Sequence, residues 1–442
     1  MRKIHSIPEL MLLMIFYNTV PLWDILSIPT GIKVVLTVML SVVFIAVLLR
    51  GGKSGAEDKR LRRIDRGCSL LWLGGVSAVL EIIVMAVWFI AGTAGAAAKA
   101  GAIAMAVLGV GITALTGAVR VAVSSKQIKL KDHIMMLLWW WVPIVNVFLF
   151  RRFYKTAQRE YIVESDRLEL ENARAESEIC RTKYPVLMVH GIFFRDWQLM
   201  NYWGRVPASL KRNGATVYYG NQQSARAVKD SAAELRATIL TVLEETGAEK
   251  VNIIAHSKGG LDSRYAISCL GMDKYVATLT TINTPHRGCD MVDFLLDKLP
   301  DGLAQFIARR YNKIFTVLGD SSPDFMAGVH DLSAIRAKEY DNEMPDSPEV
   351  SYRSYMTVMS SAGSAAFPLN VSYLLIKKLN GPNDGLVWEK SAEHGEFRLV
   401  TAPHKRGISH GDVIDLMREN IEGYDVREFY VDIVRRLREE GY

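Results

Sequence analysis

Cysteine is scarce in this chain: four residues in 442, none of them in a Cys-x-x-Cys pair. That count excludes a disulfide-dense scaffold and a cysteine-built zinc module. Charge is thin too, with 23% of residues charged against 50% hydrophobic. A disordered or acidic-tail protein shows the opposite balance, because it lacks apolar surface to bury. Internal repeats are missing, and so are low-complexity tracts apart from an Ala/Gly-rich stretch near residues 94–104. At about 150 residues per domain, the length allows two or three units.

What is present is divided unevenly. Residues 1–180 hold 21 Lys and Arg against 14 Asp and Glu, whereas residues 181–442 hold 32 against 33. The basic excess travels with the apolar half, which points to a membrane surface rather than to nucleic acid. Residues 1–150 read as a helical transmembrane region of four to five spans. Val34–Leu49, Cys68–Gly92 and Gly101–Val123 are long enough to cross, since a bilayer core needs about 20 apolar residues of helix. Pro8–Ile28 contains Pro21 and Asp24, and Ile134–Phe150 contains Pro143 and Asn146, so both are weaker spans. Several spans in series differ from a cleaved signal peptide, which has one short apolar region. Buried helices of a large soluble domain are the alternative.

Lys and Arg set orientation. Seven lie between Arg50 and Arg66, four between Arg120 and Lys131, and Arg2 and Lys3 flank the start. These segments share the inner face if the chain starts inside and crosses five times, and residues 151–442 then lie outside. Arg151, Arg152, Lys155 and Arg159 oppose that arrangement. A re-entrant Ile134–Phe150, or a surface-lying Pro8–Ile28, would bring the C-terminal half inside. Glu81 falls in mid-span, where a carboxylate is either functional or a paired packing residue. Gly109, Thr113 and Gly117 form a small-residue stripe that lets two helices approach closely. Trp139–Trp141 read as an interfacial anchor. Residues 151–180 carry dense charge of both signs and read as a linker helix.

From Tyr184 the texture changes to alternating strands and helices. Strands are expected at Pro185–Val189, Ala215–Tyr219, Val251–Ala255, Val276–Ile282 and Phe397–Thr401. Helices are expected at Pro207–Asn213, Asp230–Thr246, Leu261–Leu270 and Val413–Arg418. This alternation predicts a doubly wound, mostly parallel α/β sheet over residues 181–442.

The most informative segment is Val251-Asn-Ile-Ile-Ala-His-Ser257-Lys-Gly-Gly260. A serine in a tight strand-to-helix turn needs small residues two places away on either side, and Ala255 and Gly259 meet that need. Such a turn lifts Ser257 to the carboxyl edge of the sheet, at a helix N-terminus that favours an oxyanion. A serine hydroxyl needs a base, and the base an orienting acid. Asp384, in the turn-rich Gly381-Pro-Asn-Asp-Gly385, is the candidate acid, although an Asp is also common in turns for local reasons. His404 and His410 are both candidate bases, and their local sequence does not separate them. The backbones of Ile192 and Lys258 are the candidate oxyanion donors, and side chains at those two positions are expected to vary freely.

In these residues the C-terminal half resembles the bacterial triacylglycerol lipases of the α/β-hydrolase superfamily, typified by Pseudomonas and Burkholderia enzymes. The resemblance runs from Tyr184 to about Asn420. It rests on PVLMVHGI (185–192), the Tyr-Trp-Gly stretch at 202–218, KVNIIAHSKGGLDSRY (250–265), NTPHRGCDMVDFL (283–295), NDGLV (383–387) and SHGDV (409–413). It implies an α/β-hydrolase fold with Ser257 as nucleophile, Asp384 as acid and His410, rather than His404, as base. It also implies a calcium site, for which Asp412 matches one ligand. The matching upstream stretch, Gly363–Leu379, has no acidic residue to supply another. No cofactor is otherwise expected. An insertion at about 289–350 begins with apolar residues at helical spacing over Asp290–Leu318, including Leu299, and reads as a lid or as an ordinary helix pair over the sheet. The resemblance covers nothing before residue 181. Together these expectations describe a lipid esterase anchored in a bacterial cell membrane, its catalytic half on the outer face. An acyltransferase or thioesterase would use the same triad, and an inert lipid-binding sensor would use none of it.

Overall fold

The computed structural model describes residues 7–26, 28–52, 54–92, 94–139, 141–192, 202–298, 300–317, 320–402 and 406–442. Arg2, Lys3, Leu299 and His404 lie outside the described residues. The chain forms two compact units, Met1–Leu170 and Glu171–Tyr442.

The first unit is all helical: α1 (Ile7–Tyr17), α2 (Thr19–Ile25), α3 (Thr30–Arg50), α4 (Lys59–Ala91), α5 (Ala96–Ser124), α6 (Leu130–Trp139) and α7 (Pro143–Arg174), which runs past the unit boundary. By length and composition, α3, α4 and α5 could each cross a bilayer. The weaker stretches are not continuous helices. Pro8–Ile28 is broken at Asn18 between α1 and α2, and Ile134–Phe150 is interrupted between α6 and α7. Pro143 sits at the start of α7, where its missing N–H costs no intrahelical bond. Trp139 and Trp141 are exposed, with ring centroids 6.4 Å apart. The small-residue stripe brings helices together as expected. A Cβ on Gly117 would lie 2.8 Å from the Leu71 nitrogen of α4, and one on Gly109 would lie 2.4 Å from the Tyr17 ring of α1. Only a hydrogen side chain permits approach that close.

The second unit alternates strands and helices: β1 (Val186–Val189), α8 (Val206–Arg212), β2 (Val217–Tyr219), α9 (Val228–Thr246), β3 (Val251–His256), α10 (Lys258–Cys269), β4 (Val276–Ile282), α11 (Asp290–Lys298), α12 (Asp301–Val317), α13 (Phe325–His330), α14 (Ala334–Glu343), β5 (Ser351–Thr357), α15 (Leu369–Leu379), β6 (Glu396–Val400) and α16 (Val426–Glu439). The strands form one sheet in the order β2-β1-β3-β4-β5-β6, parallel throughout. β1, β3 and β4 are buried along their whole length, as the central strands of a parallel sheet covered on both faces should be. Leu235 and Ile239 of α9 and Ala266 and Ile267 of α10 pack on one side. Val206 and Leu210 of α8 and Tyr430, Val431 and Val434 of α16 pack with Trp203 in a separate core. Helices on both faces make the sheet doubly wound.

One expected element differs. Residues 413–418 form turns rather than a helix, because Asp415 and Arg418 take φ of 58° and 52°. Those left-handed angles end any right-handed helix. The Asp415 carboxylate instead holds Arg205 through its Nε and Nη2, each at 2.8 Å.

Candidate active site

Ser257 sits where β3 ends and α10 begins, with φ 54° and ψ −130°. A non-glycine residue rarely holds a positive φ, and the surrounding structure must enforce it. The Ser257 N–H donates to the Ile282 carbonyl of β4 (3.0 Å), and the Gly260 N–H donates back to the Ser257 carbonyl (3.1 Å). The small neighbours are required by contact. A Cβ on Gly259 would lie 2.4 Å from the His190 carbonyl oxygen, and one on Gly191 would lie 2.8 Å from the Ser257 Cβ. Gly260 is equally crowded, by the Thr284 side chain at 2.3 Å. The second glycine of the pair therefore has a steric role that the motif alone did not assign.

The loops after α15 and β6 bring Asp384 and His410 together. His410 Nδ1 donates to Asp384 Oδ2 at 2.6 Å, which leaves Nε2 as the acceptor nitrogen of the ring. Asp384 is fully buried, and its other oxygen accepts from the Leu386 and Val387 N–H groups, both at 2.8 Å. Asn383 braces the same turn, accepting from the Gly385 N–H and donating to the Tyr373 carbonyl of α15. The His410 ring lies 4.4 Å, centroid to centroid, from that of His256, the residue just before Ser257.

His256 and Tyr202 were given no role from sequence. The Gly191 N–H donates to the Tyr202 hydroxyl (3.0 Å), which leaves that hydroxyl's own proton for His256 Nδ1 (2.6 Å). This chain ties the turn after β1 to the turn after β3, the two turns that carry Ile192 and Lys258. Burial, reinforced by the nearby His410 ring, holds the His256 imidazole well below the usual histidine range, so His256 is neutral. The presence of His256 within the serine motif was the available signal. Tyr202 opens the Tyr-Trp-Gly stretch that carries part of the resemblance, but nothing in that stretch pointed to His256.

Ile192 is buried against Ala308 and Phe315 of α12 and Phe325 of α13. Lys258 corrects the expectation that its side chain varies freely. Its Nζ is buried and donates to Asp262 Oδ1 (2.7 Å) and Ser231 Oγ (2.9 Å). Burial lifts the Asp262 carboxyl to about 6, against the pull of Lys258.

Asp412 does not fit a calcium ligand. One oxygen accepts from Arg406 Nη2 (3.1 Å), and the other from the Ser409 N–H and hydroxyl (3.0 and 2.7 Å). A guanidinium at the carboxylate opposes a second cation there. Among the described residues, no group of three or more His, Cys, Asp or Glu side chains could hold a metal.

Sheet order, the strained serine turn and the His–Asp pair make the second unit an α/β-hydrolase fold. Residues 183–286 match the class 2 lipases. The resemblance drawn from the motifs is borne out. The chain is 35% identical over 185 residues to a triacylglycerol lipase of Burkholderia plantarii, covering 39% of this chain and 51% of the relative. It is 36% identical over 176 residues to one of Pseudarthrobacter phenanthrenivorans, covering 37% and 54%. This chain thus spans about half the length of these two relatives. Among solved structures, the mature lipase BlEst2 of Bacillus licheniformis is similar at 21% identity and a TM-score of 0.41, covering 53% of this chain and 88% of its own.

Proposed function

We propose that the second unit hydrolyses carboxylic esters of lipids through an acyl-enzyme on Ser257. The observation that carries this reading is the 2.6 Å His410–Asp384 pair in a fold whose strained turn presents Ser257. Ser257 attacks the ester carbonyl, and His410 Nε2 takes its proton and passes it to the leaving alcohol. Asp384 keeps the imidazole in the tautomer with Nδ1 protonated and stabilises its cationic form. The Ile192 and Lys258 N–H groups receive the oxyanion. Water activated by His410 then releases the acid. The names of the relatives, triacylglycerol lipases, supply the substrate class. α11 and α12 act as a lid. α12 turns Phe315 onto the buried layer at Ile192 while Leu303, Phe306, Ile314 and Val317 stay exposed to meet lipid.

The first unit anchors the enzyme in a membrane through α3, α4 and α5. The outer-face expectation depended on a fifth crossing at Ile134–Phe150, and that stretch is interrupted between α6 and α7. Two crossings, α4 and α5, separate the basic segment around residues 50–66 from the basic segment at 120–131. Both then share the cytoplasmic face, and Arg151, Arg152, Lys155 and Arg159 join them. This reading places the catalytic unit inside the cell. Anchoring keeps the site at a bilayer substrate and raises its effective concentration.

A fluorophosphonate probe tests the chemistry. The wild-type protein in membranes is expected to label covalently and to release fatty acid from emulsified triacylglycerol. Ser257→Ala, folded by its melting curve, is expected to do neither. Absence of labelling in wild-type membranes would overturn the reading.

A further inference from the structure

We propose that Asn18, Ser77 and Glu81 form a binding site for a small monovalent cation inside the helical first unit. Asn18 occupies the break between α1 and α2, with φ −93° and ψ 19°. Its Nδ2 donates to the Met14 carbonyl (2.9 Å) and to Glu81 Oε1 (2.7 Å) of α4. Ser77 lies one turn before Glu81, on the same face of that helix. The Tyr17 hydroxyl stands beside both. It is hydrogen-bonded to Thr113 Oγ1 (2.7 Å) of α5, and Thr113 commits its own proton to the Gly109 carbonyl (2.9 Å). Tyr17 therefore gives its proton to Thr113 and has none left for Glu81.

Three oxygens remain: Asn18 Oδ1, Ser77 Oγ and Glu81 Oε2. All are buried; Asn18 Oδ1 and Glu81 Oε2 make no hydrogen bond, and the Ser77 hydroxyl has the Tyr17 hydroxyl as its one neighbour, to which it can donate while keeping its lone pairs open. The residues are 9%, 0% and 5% exposed. Apolar clusters surround the site: Leu13, Phe16, Leu70 and Leu73 in one, Met85, Trp88, Ala102 and Ala106 in another. Among the described residues no Lys, Arg or His pairs with Glu81. Buried carboxylates away from water are paired or bind cations, and buried polar atoms without partners are rare. A proton on Glu81 Oε2 could be given to only one of the other two oxygens and would leave the second unsatisfied. A small cation engages a carboxylate, an amide carbonyl and a hydroxyl together. One carboxylate balances one positive charge. A divalent ion would leave a net charge among apolar helices, and calcium takes six to eight oxygens. Broken helices at such depth are a recurrent setting for ion sites. Sodium is the occupant of matching charge and hardness. The inference does not depend on the chemistry of the second unit.

The test follows thermal unfolding of the full chain in detergent while NaCl replaces choline chloride at constant ionic strength. Sodium is expected to raise the midpoint saturably, by roughly 3 °C or more at ten times half-saturation. Glu81→Gln, of the same shape without the charge, should abolish the response. Ser77→Ala removes one oxygen and keeps the charge, and should raise the half-saturating sodium concentration about tenfold (one hydrogen-bond-sized contribution). A wild-type midpoint indifferent to sodium, or one that follows pH alone, overturns the proposal. So does a sodium response that survives Glu81→Gln. If Glu81→Gln does not fold, the shift in Ser77→Ala decides.

Discussion

Lys258 shows how much a single side chain next to Ser257, the proposed nucleophile, can matter through its buried partners alone. Its ammonium is the charge partner of a carboxylate that is itself buried, and Ser231 completes the set. Removing one member of a buried pair leaves the other charge uncompensated, which costs about 3–5 kcal/mol, whereas replacing both with apolar residues is often neutral. Lys258→Met is therefore expected to lower the melting temperature of the second unit sharply, and Lys258→Met with Asp262→Leu to recover most of the loss. A double variant as unstable as the single one would show that the pair is not the cause. At this scale the sequence was readable where spacing carries meaning. Ser257 follows from a motif and Asp384 from a turn, whereas only the resemblance to the lipases set His410 above His404. Asp262 is four residues from Lys258 and was within reach of helical spacing, but Ser231 is 27 residues away and becomes a neighbour only through folding. The bridging role of Tyr202 was hidden for the same reason, because its partners Gly191 and His256 belong to two different strands' turns.

Elements were legible wherever one periodicity held over enough residues. β1, β3, β4 and α9 fall within a few residues of their expected bounds, because apolar runs and a helical stripe ending at Gly247 mark them directly. β5 was hidden. Ser351–Thr357 reads SYRSYMT, with few aliphatic residues, and it becomes a strand through pairing with β4 and β6. The turn at 413–418 was misread because helix spacing says nothing about an Asp415 carboxylate engaged by Arg205. The start of α10 provides the sharpest test of an element boundary. At Gly259 the nearest obstructing atoms are the backbone carbonyls of Val189 and His190, at and just past the end of β1, which cannot swing aside. Gly259→Ala is expected to destabilise by about 1–3 kcal/mol, as overpacking does, and to reduce ester hydrolysis by displacing the Lys258 N–H. Gly302→Ala in α12 is the control, since nothing lies within 4 Å of its added Cβ. There the change should be neutral or stabilising by about 0.5–1 kcal/mol. Equal losses at both positions would contradict this account of the turn.

On the scale of the whole molecule, the division into an apolar helical part and an α/β part was visible in composition alone. The number of crossings was not, because hydropathy does not register the helix breaks at Asn18 and before Pro143. Global stability of the second unit should carry a pH signature. Burial holds His256 and His286 well below the usual histidine range. Both stay neutral in the fold and gain protons on unfolding once pH drops below about 6.5. Their contribution is complete above that pH and is lost as pH falls. Asp262 acts in the opposite sense. Its carboxyl titrates at about 6 in the fold, against about 3.9 unfolded, so its contribution falls as pH rises from about 4 to 6. The net slope therefore builds up as pH falls through about 6.5 and levels off at about one proton between about pH 6 and 5, where Asp262 offsets one of the two histidines. Urea melts across this range should show that pattern, and His256→Gln should reduce the slope by up to one proton, about 1.4 kcal/mol per pH unit. An unchanged slope would mean that His256 is already protonated in the fold.

Sidedness is the remaining whole-molecule property, and the chain carries its own probe. Of the four cysteines, Cys269 at the end of α10 is exposed, whereas Cys68, Cys180 and Cys289 are buried. Its thiol lies above the ordinary cysteine value through partial burial and the neighbouring Glu343, so a maleimide reaction at pH 8 gives a slow but selective label. If the basic segments hold the catalytic unit in the cytoplasm, a membrane-impermeant maleimide should leave intact cells unlabelled and react after permeabilisation, and Cys269→Ser should remove that label. Labelling of intact cells at Cys269 would require a further crossing between Ser124 and β1. It would also place the four basic residues from Arg151 to Arg159 on the outer face, against the charge asymmetry that orients the rest of the chain.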